Sequence, residues 1–329
     1  MKKIIVGLVG LVSLAWPKVV MAGPALGIHL LDPRELPAAL ELVRNGAVTV
    51  VLRSDDRNIR VWQEFLDRAA ENEVVPIIRL ATRVEGSGWK RPSKRDIVEH
   101  ARFLSGLNWQ VEALRVVIFN EPNHAAEWGG KVDPEDYGRV LSFAADWFHT
   151  EAKKYVVLPA GLDAAAPNDN LEFIRRMLAN NPNLINQIDG WTAHAYANPD
   201  FAGSPRDTGK MSINSFKHEV DLLKRYATRD WPVYITEAGW KRTAKNSRVV
   251  ADYYTQAVKQ AWNDENIRVV TPFVFAAGGV RFKPLRLLIQ MVHRHRSMKL
   301  GCLTGSEFFY QLPSLFIEEL PGRVFAKIG

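Results

Sequence analysis

Eight short runs rich in valine and isoleucine alternate along the chain with longer segments whose apolar residues recur at helical spacing. This alternation is typical of βα units around a parallel sheet. The runs lack a regular apolar–polar alternation, as expected for strands that are covered on both faces. The predicted strands span residues 27–31, 47–53, 74–80, 114–120, 155–160, 188–194, 233–237 and 269–275. Eight consecutive units predict a single-domain (β/α)8 TIM barrel.

The length of 329 residues accommodates one such barrel, which commonly takes about 250 residues. A doubly wound open sheet is the competing architecture, but it usually carries a glycine-rich phosphate loop after the first strand, and this sequence has none there. We therefore assign residues 23–283 to the barrel. Residues 284–329 are a divergent last helix with a tail, an appendage, or the product of a shifted reading frame.

The N-terminus has the features of a secretory signal peptide over residues 1–22. A basic start at Lys2 and Lys3 precedes an apolar run, and small residues lead up to Ala22, after which we expect cleavage. The alternative is an uncleaved membrane anchor, although the apolar run is shorter than the roughly 20 residues that a spanning helix needs. We expect a secreted or periplasmic protein, membrane-anchored only if the signal is retained.

Cysteine content and charge exclude several other functions. Cys302 is the single cysteine, so neither an intrachain disulfide nor a cysteine-based zinc site can form. The formal charge of +7 comes partly from the signal and from the last part of the chain, and no aromatic-plus-basic motif accompanies it. We therefore predict a solvated basic face and no nucleic-acid partner. We also expect a monomer.

Barrel enzymes carry their active sites at the C-terminal ends of the strands, so polar residues that end or follow the apolar runs are candidates. This set is rich in carboxylates and poor in metal-ligand patterns, and we expect neither a metal nor a cofactor. Its members are His29, Asp32, Arg53, Asp55, Asp56, Arg79, Asn120, Glu121, Asp163, His194, Tyr196 and Glu237.

Two of these carboxylates form the central prediction. Glu121 follows strand four and Glu237 ends strand seven, and these strands lie across the barrel mouth from one another. One carboxyl group could then protonate a glycosidic oxygen while the other attacks the anomeric carbon. A separation of about 5 to 5.5 Å between the carboxyl groups gives retention of configuration.

The surrounding residues resemble clan A of the glycoside hydrolases, which includes the family 5 and family 39 enzymes. Asn120-Glu121-Pro122 is similar to the clan's strand-four motif, which implies that Asn120 contacts the sugar 2-hydroxyl and that Glu121 is the acid/base. Glu237 resembles the clan's nucleophile. His194-Ala195-Tyr196 is similar to the family 5 His-x-Tyr pattern, in which the tyrosine hydroxyl approaches the nucleophile.

The resemblance covers residues 27–280 and implies a retaining β-glycoside hydrolase that acts on a β-linked polysaccharide or oligosaccharide. The clan usually carries a tryptophan at the end of strand eight, and this chain has none there. Either Phe275 or Trp240 takes that place, or strand eight is misplaced in our reading.

The proposed chemistry makes demands on the neighbouring residues. Glu121 needs a raised pKa to act as an acid, whereas Glu237 must stay ionised beside a cation or a hydroxyl donor. Arg53, Arg79 and Tyr196 are the candidates for that contact. His29 and His194 are either site residues or hydrogen-bonded structural histidines.

Sugar rings stack on exposed aromatic side chains. Trp240, Trp128 and Trp89 are the candidates on the strand-end loops, whereas Trp62, Trp147 and Trp262 fall in helical patterns and are expected in the core.

Three other functions stay open. A non-catalytic carbohydrate-binding barrel would keep an aromatic groove, and a transglycosylase would use the same two glutamates. A metal-dependent barrel hydrolase would need clustered ligands on strand one, where only His29 is available. The glycan also stays open among glucan, mannan, xylan and exopolysaccharide.

Overall fold

The computed structural model describes residues 23–243, 245–273, 276–277 and 280–281. The predicted signal peptide, the segment 284–329 and Phe275 lie outside the described residues. Among the described helices, none combines the length and the apolarity needed to cross a membrane.

Eight parallel strands form the centre of the molecule. They are β1 Ala25–Leu30, β2 Ala47–Arg53, β3 Val75–Ala81, β4 Leu114–Ile118, β5 Tyr155–Pro159, β6 Trp191–Tyr196, β7 Val233–Gly239 and β8 Ile267–Val270. The helices are α1 Leu36–Val43, α2 Ile59–Glu71, α3 Lys94–Ser105, α4 Pro134–Thr150, α5 Asn170–Asn180, α6 Ser215–Leu223 and α7 Ser247–Lys259, with a one-turn helix at Leu184–Gln187.

The strands are hydrogen-bonded in the order β5-β4-β3-β2-β1-β8-β7-β6. A parallel bridge connects Asp163, which follows β5, to His194 in β6, and the Asp189 amide donates to the Val157 carbonyl at 3.0 Å. These contacts nearly close the sheet, so the predicted (β/α)8 barrel is confirmed.

Two helix starts are stabilised by capping side chains. Ser93 caps α3 and forms a reciprocal capping box with Asp96, which satisfies two backbone donors of the first turn. Asp133 caps α4, and Pro134 occupies the first helical position, where its missing N–H has no cost. The helices bury their apolar faces against the outside of the barrel.

Strand eight differs from its prediction at both ends. The sequence predicts residues 269–275, whereas β8 spans Ile267–Val270. Pro272 has no N–H to donate, which ends the regular ladder. The chain still runs beside its neighbours, because Thr271 donates to the Ile235 carbonyl at 2.8 Å and Phe273 donates to the Ala238 carbonyl at 3.0 Å.

The barrel interior changes from apolar to polar along the strands. The interior contains a buried layer that consists of Ala47, Ile77, Val117, Leu158, Tyr234 and Val269. Side chains two residues further along point into the same interior. There the hydroxyls of Thr49 in β2 and of Thr271 directly after β8, the two strands that flank β1, hydrogen-bond at 2.8 Å, and Arg79 is buried. Polar groups therefore collect at the C-terminal end of the barrel, called the mouth below.

Candidate active site

Glu121 lies on a strained turn directly after β4. Phe119 and Glu121 have φ angles of 68° and 28°, values that side chains other than glycine rarely adopt and that persist only where the surroundings hold them. The Glu121 amide donates to the Gly161 carbonyl at 3.1 Å. Phe119 packs edge-on against Trp128, with the ring centroids 6.0 Å apart. The strained turn places the Glu121 carboxylate at the mouth.

Glu237 enters the same space from β7, and its two carboxylate oxygens are separately bound. Arg79 Nη1 donates to Oε1 at 2.7 Å, and the Tyr196 hydroxyl donates to Oε2 at 2.7 Å. The Glu237 side chain is 7% exposed, and that of Arg79 10%. Of the three residues predicted to contact Glu237, Arg79 and Tyr196 do so.

The surroundings of Glu237 favour its charged form. Burial raises the pKa of this carboxyl. The charges of His194 and Arg79 and the Tyr196 hydrogen bond lower it by more than burial raises it, so the net pKa lies below its ordinary value. Glu237 is therefore ionised at neutral pH, as a nucleophile requires.

Glu121 and His194 form a second coupled pair. His194 Nδ1 lies 2.7 Å from Glu121 Oε1 and 3.8 Å from Glu237 Oε2. Burial lowers the pKa of His194, but the Glu237 charge and the Glu121 hydrogen bond raise it more, so its net pKa is raised. His194 therefore holds a proton more firmly than an ordinary histidine, directly beside the Glu121 carboxylate.

Glu121, His194 and Glu237 each offer a donor atom, and these atoms lie within 4.8 Å of one another. Such a group could hold a cation. Its atoms are already engaged, however, by Arg79 and Tyr196 on Glu237 and by the Glu121–His194 bond. A cation would have to displace the Arg79 guanidinium, so the arrangement suits acid–base and nucleophilic chemistry better than metal binding.

His29 lies beneath Glu237 as a neutral group. Its Nδ1 donates to the Thr236 carbonyl at 3.1 Å and is 3.7 Å from Glu237 Oε1. Burial, followed by the Arg79 charge, lowers the pKa of His29 to about 3. His29 therefore contacts the site without contributing a charge at neutral pH.

Arg53 does not occupy its predicted place beside Glu237. It forms a two-pronged ion pair with Asp55 at 2.7 and 2.9 Å, and its guanidinium lies 5.8 Å from the centroid of the half-buried Trp89 ring. The strand register gives the reason, because Arg79 pairs with Val51 whereas Arg53 pairs with Ala81. Arg53 therefore lies two residues nearer the outer edge of the mouth.

The predicted exposure of Trp128 and Trp240 is wrong. Trp128 is 0% exposed and Trp240 is 6% exposed. Trp128 Nε1 donates to Asp136 at 3.1 Å, and its ring packs on Phe119 beneath the Glu121 turn. Trp240 Nε1 donates to the Gly203 carbonyl at 2.8 Å. In this structure both rings support site loops and are inaccessible for stacking. Trp62 and Trp262 are buried as predicted.

Three residues at the mouth escaped the sequence analysis. Phe201 is 38% exposed and Phe273 is 36% exposed. Phe201 packs edge-on against Tyr196, with the centroids 5.0 Å apart, and Phe273 packs against His29 at 5.1 Å. Glu127, the third residue, lies partly buried in the connection after β4, and burial raises its pKa to about 7. A lone aromatic in the turn-forming segment around Pro199 was the available signal for Phe201.

Comparison with known proteins finds similarity in structure only. No family model matches the sequence, and no curated protein matches it. An endo-β-1,4-glucanase from Xanthomonas axonopodis pv. citri is similar with a TM-score of 0.54 at 10% identity, over 82% of this chain and 99% of that one.

Two further solved structures give the same result. GH5_18 from Streptomyces cattleya in complex with GlcNAc has a TM-score of 0.55 at 18% identity, over 84% of this chain and 81% of that one. A glucosidase from Croceicoccus marinus has a TM-score of 0.57 at 13% identity, over 81% of this chain and 65% of that one. At these identities the likeness establishes a shared (β/α)8 fold.

Proposed function

We propose that the chain is a retaining β-glycoside hydrolase in which Glu237 is the nucleophile and Glu121 is the acid/base. The observation that carries the proposal is the approach of the two carboxylates, which offer oxygens within 4.8 Å of one another from β7 and from the turn after β4. Retaining enzymes hold their carboxyl groups about 5 to 5.5 Å apart, whereas inverting enzymes leave about 6.5 to 9.5 Å for a water molecule. The short separation supports double displacement.

The different surroundings of the two glutamates support their separate roles. Glu237 accepts hydrogen bonds from a guanidinium and a phenol, which keeps it ionised for attack on the anomeric carbon. Glu121 shares a hydrogen bond with His194, whose raised pKa keeps a proton available to the pair. In the first step the C1–Oε bond to Glu237 forms as the glycosidic bond breaks, and the leaving oxygen takes the proton from Glu121.

The second step reverses these roles. Glu121, now deprotonated, takes a proton from water as the water oxygen attacks C1 and the bond to Glu237 breaks. The Arg79 and Tyr196 hydrogen bonds then receive the departing carboxylate charge. No cofactor enters either step.

The proposed substrate is a β-linked carbohydrate. The glucanase and the glucosidase that share the fold support this class, and the exposed rings of Phe201 and Phe273 offer apolar faces at the mouth. Secretion or export to the periplasm, through the segment 1–22, is part of the proposal.

A trapping experiment tests the mechanism. The purified protein is incubated with a set of activated 2-fluoro β-glycosides, and any glycosyl-enzyme is located by peptide mass spectrometry. We expect label on Glu237, no label in Glu237→Gln, and hydrolysis of natural substrates with retained anomeric configuration by NMR. Label on another residue, or an inverted product, would contradict the assignment.

Glu85→Gln is the matched control, because Glu85 is exposed on the hairpin after β3 and pairs only with Arg83 among the described contacts. It should label as the unmodified protein does. A folded protein that neither labels nor hydrolyses any member of a β-glycan panel would favour the non-catalytic barrel.

A further inference from the structure

Asn123 lies two residues beyond Glu121 and is 0% exposed. Its Nδ2 donates to the Asp163 carbonyl at 2.8 Å and to the Asn168 carbonyl at 3.1 Å, and its Oδ1 accepts from the Asp163 amide at 3.3 Å. A flipped side-chain amide would place donor against donor and acceptor against acceptor, so one orientation fits. With one donor and one acceptor on the same backbone residue, Asn123 continues the pairing of β4 with β5 beyond the ends of both strands.

The contacts of this amide belong to a set that holds the strained turn at Glu121. The φ angle of Glu121 is 28°, and its amide donates to the Gly161 carbonyl at 3.1 Å. The His124 amide donates to the Glu121 carbonyl at 2.8 Å, and His124 Nε2 lies 2.9 Å from Asp163 Oδ2. Such a backbone conformation persists only where its surroundings hold it. Residues 161–163, called the support segment below, provide these contacts from the β5 side.

The support segment also holds His194, the partner of Glu121. Asp163 forms a parallel bridge with His194. A Cβ on Gly161 would lie 2.2 Å from His194 Cδ2, so the imidazole ring packs directly against the backbone there. The 2.7 Å contact between His194 Nδ1 and Glu121 Oε1 therefore joins two side chains that rest on one segment. Asn123 ties the Glu121 turn to that segment.

We propose that Asn123 is a positioning residue for the acid/base, which fixes the Glu121 carboxyl beside His194 by joining the turn after β4 to the support segment. This inference rests on the proposed glycosidase function. Both N–H groups of the Asn123 amide are donated to backbone carbonyls, so the residue acts through Glu121 without donating to the substrate. A displaced Glu121 protonates the leaving oxygen poorly, whereas Glu237 is held by separate contacts.

The dependence on the leaving group distinguishes this role from a general loss of stability. The assay compares kcat/KM for two β-glycosides of one sugar, a phenyl glycoside, whose leaving oxygen needs a proton, and a 2,4-dinitrophenyl glycoside, whose leaving oxygen needs little protonation. The value of kcat/KM reports the steps up to the glycosyl-enzyme, so the later role of Glu121 as a base does not enter it. Asn123→Ala should lower it by about tenfold to a hundredfold for the phenyl glycoside and by less than about threefold for the other. Equal losses on both, or no loss on either, would overturn the proposal.

Asn214→Ala is the matched control. Asn214 is 5% exposed, and its Nδ2 donates to the Asp207 carbonyl at 2.7 Å in the connection after β6. Its replacement removes a buried amide of the same kind away from the Glu121 turn, so any loss of kcat/KM should be equal for the two glycosides. A selective loss on the phenyl glycoside, as large as that in Asn123→Ala, would contradict a specific role for Asn123.

Asn168→Ala covers the case in which Asn123→Ala does not fold. Asn168 is exposed, and its Nδ2 donates to the Asn123 carbonyl at 3.1 Å. Its replacement should lower kcat/KM for the phenyl glycoside by about twofold to tenfold, the range expected for one neutral hydrogen bond, and leave that for the dinitrophenyl glycoside unchanged. An equal effect on both glycosides, or none, would overturn the proposal.

A titration makes the test independent of turnover. Burial lowers the pKa of His194, whereas the Glu237 charge and the Glu121 hydrogen bond raise it. In protein labelled with 15N at histidine, the His194 ring signal, identified by its absence in His194→Gln, should titrate at lower pH in Asn123→Ala and at an unchanged pH in Asn214→Ala. An unchanged His194 pKa in Asn123→Ala would refute the positioning role. If this pKa falls but the unmodified protein hydrolyses no glycoside, the proposed function fails and the coupling of Asn123 to the Glu121–His194 pair stands.

Discussion

Replacing Tyr196 by phenylalanine removes one hydroxyl that donates to Glu237 Oε2 at 2.7 Å and otherwise preserves the ring. A hydrogen bond to a charged group contributes about 1.5 to 3 kcal/mol, and one pKa unit corresponds to about 1.4 kcal/mol. The pKa of Glu237 should therefore rise by about 1 to 2 units. Since Glu237 must be ionised to attack, the acidic limb of the kcat/KM profile should move to higher pH by the same amount.

The assay is the pH dependence of kcat/KM for one aryl β-glycoside, compared among the unmodified protein, Tyr196→Phe and Tyr226→Phe. Tyr226 is 41% exposed and provides a matched control whose profile should not move. An acidic limb that shifts by less than about 0.3 units in Tyr196→Phe would refute the argument that this hydroxyl keeps Glu237 ionised.

Stability should change in the same direction. Since the folded-state pKa of Glu237 lies below its ordinary value, its ionisation stabilises the fold above the unfolded pKa, and this contribution is lost as pH falls through the folded pKa. Tyr196→Phe reduces the depression of that pKa. Its free energy of unfolding should therefore fall relative to the unmodified protein at neutral pH, and the two should converge at low pH.

Three further substitutions test other parts of the site. Gly161→Ala would place a Cβ 2.2 Å from His194 Cδ2, and the displacement of the imidazole ring should lower kcat/KM by about a hundredfold. Gly209→Ala is the control, because a Cβ there would have no atom within 4 Å, and it should leave kcat/KM unchanged. Trp128→Ala should reduce the free energy of unfolding by about 3 to 5 kcal/mol in a denaturant titration. A loss of substrate affinity with unchanged stability would instead support the original prediction that Trp128 stacks on a sugar ring. Phe201→Ala should raise KM about twofold to tenfold with an unchanged melting temperature, and an unaltered KM would remove it from the sugar contacts.

The fold was predictable because barrel strands are apolar on both faces and their helices carry clear caps. Strand β2 spans the predicted residues 47–53, since a valine-rich run is bounded there by Gly46 and by charged residues. Strand β6 was predicted at 188–194 but spans Trp191–Tyr196. Ile188 is apolar and buried but lies outside the strand. An apolar residue that is buried in a loop therefore cannot be distinguished by its type from one that is buried in a strand.

The position of a side chain along the barrel axis explains why the sequence did not show which of Arg53 and Arg79 contacts Glu237. Both arginines end apolar runs, and the interstrand register places Arg53 two residues higher, a difference of about 7 Å along the strand. Register between parallel strands depends on how the whole barrel shears, which no local pattern specifies. Only the assembled sheet shows which guanidinium reaches Glu237.

The tryptophans were misread because loop composition does not indicate the direction of a side chain. Gly129 and Gly130 follow Trp128 with φ angles of 66° and 88°, and a Cβ on Gly129 would lie 2.5 Å from that of Arg91. Gly129 brings the backbone close against Arg91, and the Trp128 ring lies beneath the Glu121 turn. Glycine in a loop can thus permit close packing as well as an open conformation.

The contacts among the titratable side chains at the mouth determine which of them bind a proton near neutral pH. His29 is neutral with a pKa of about 3 and the pKa of Glu237 is lowered, so the groups left to bind a proton near neutral pH are His194, whose pKa is raised, and Glu127, whose pKa is about 7. Coupled groups titrate in macroscopic steps that belong to the set. The basic limb of activity should therefore shift in Glu127→Gln as well as in variants of His194, because removing one partner changes the proton affinity of the others.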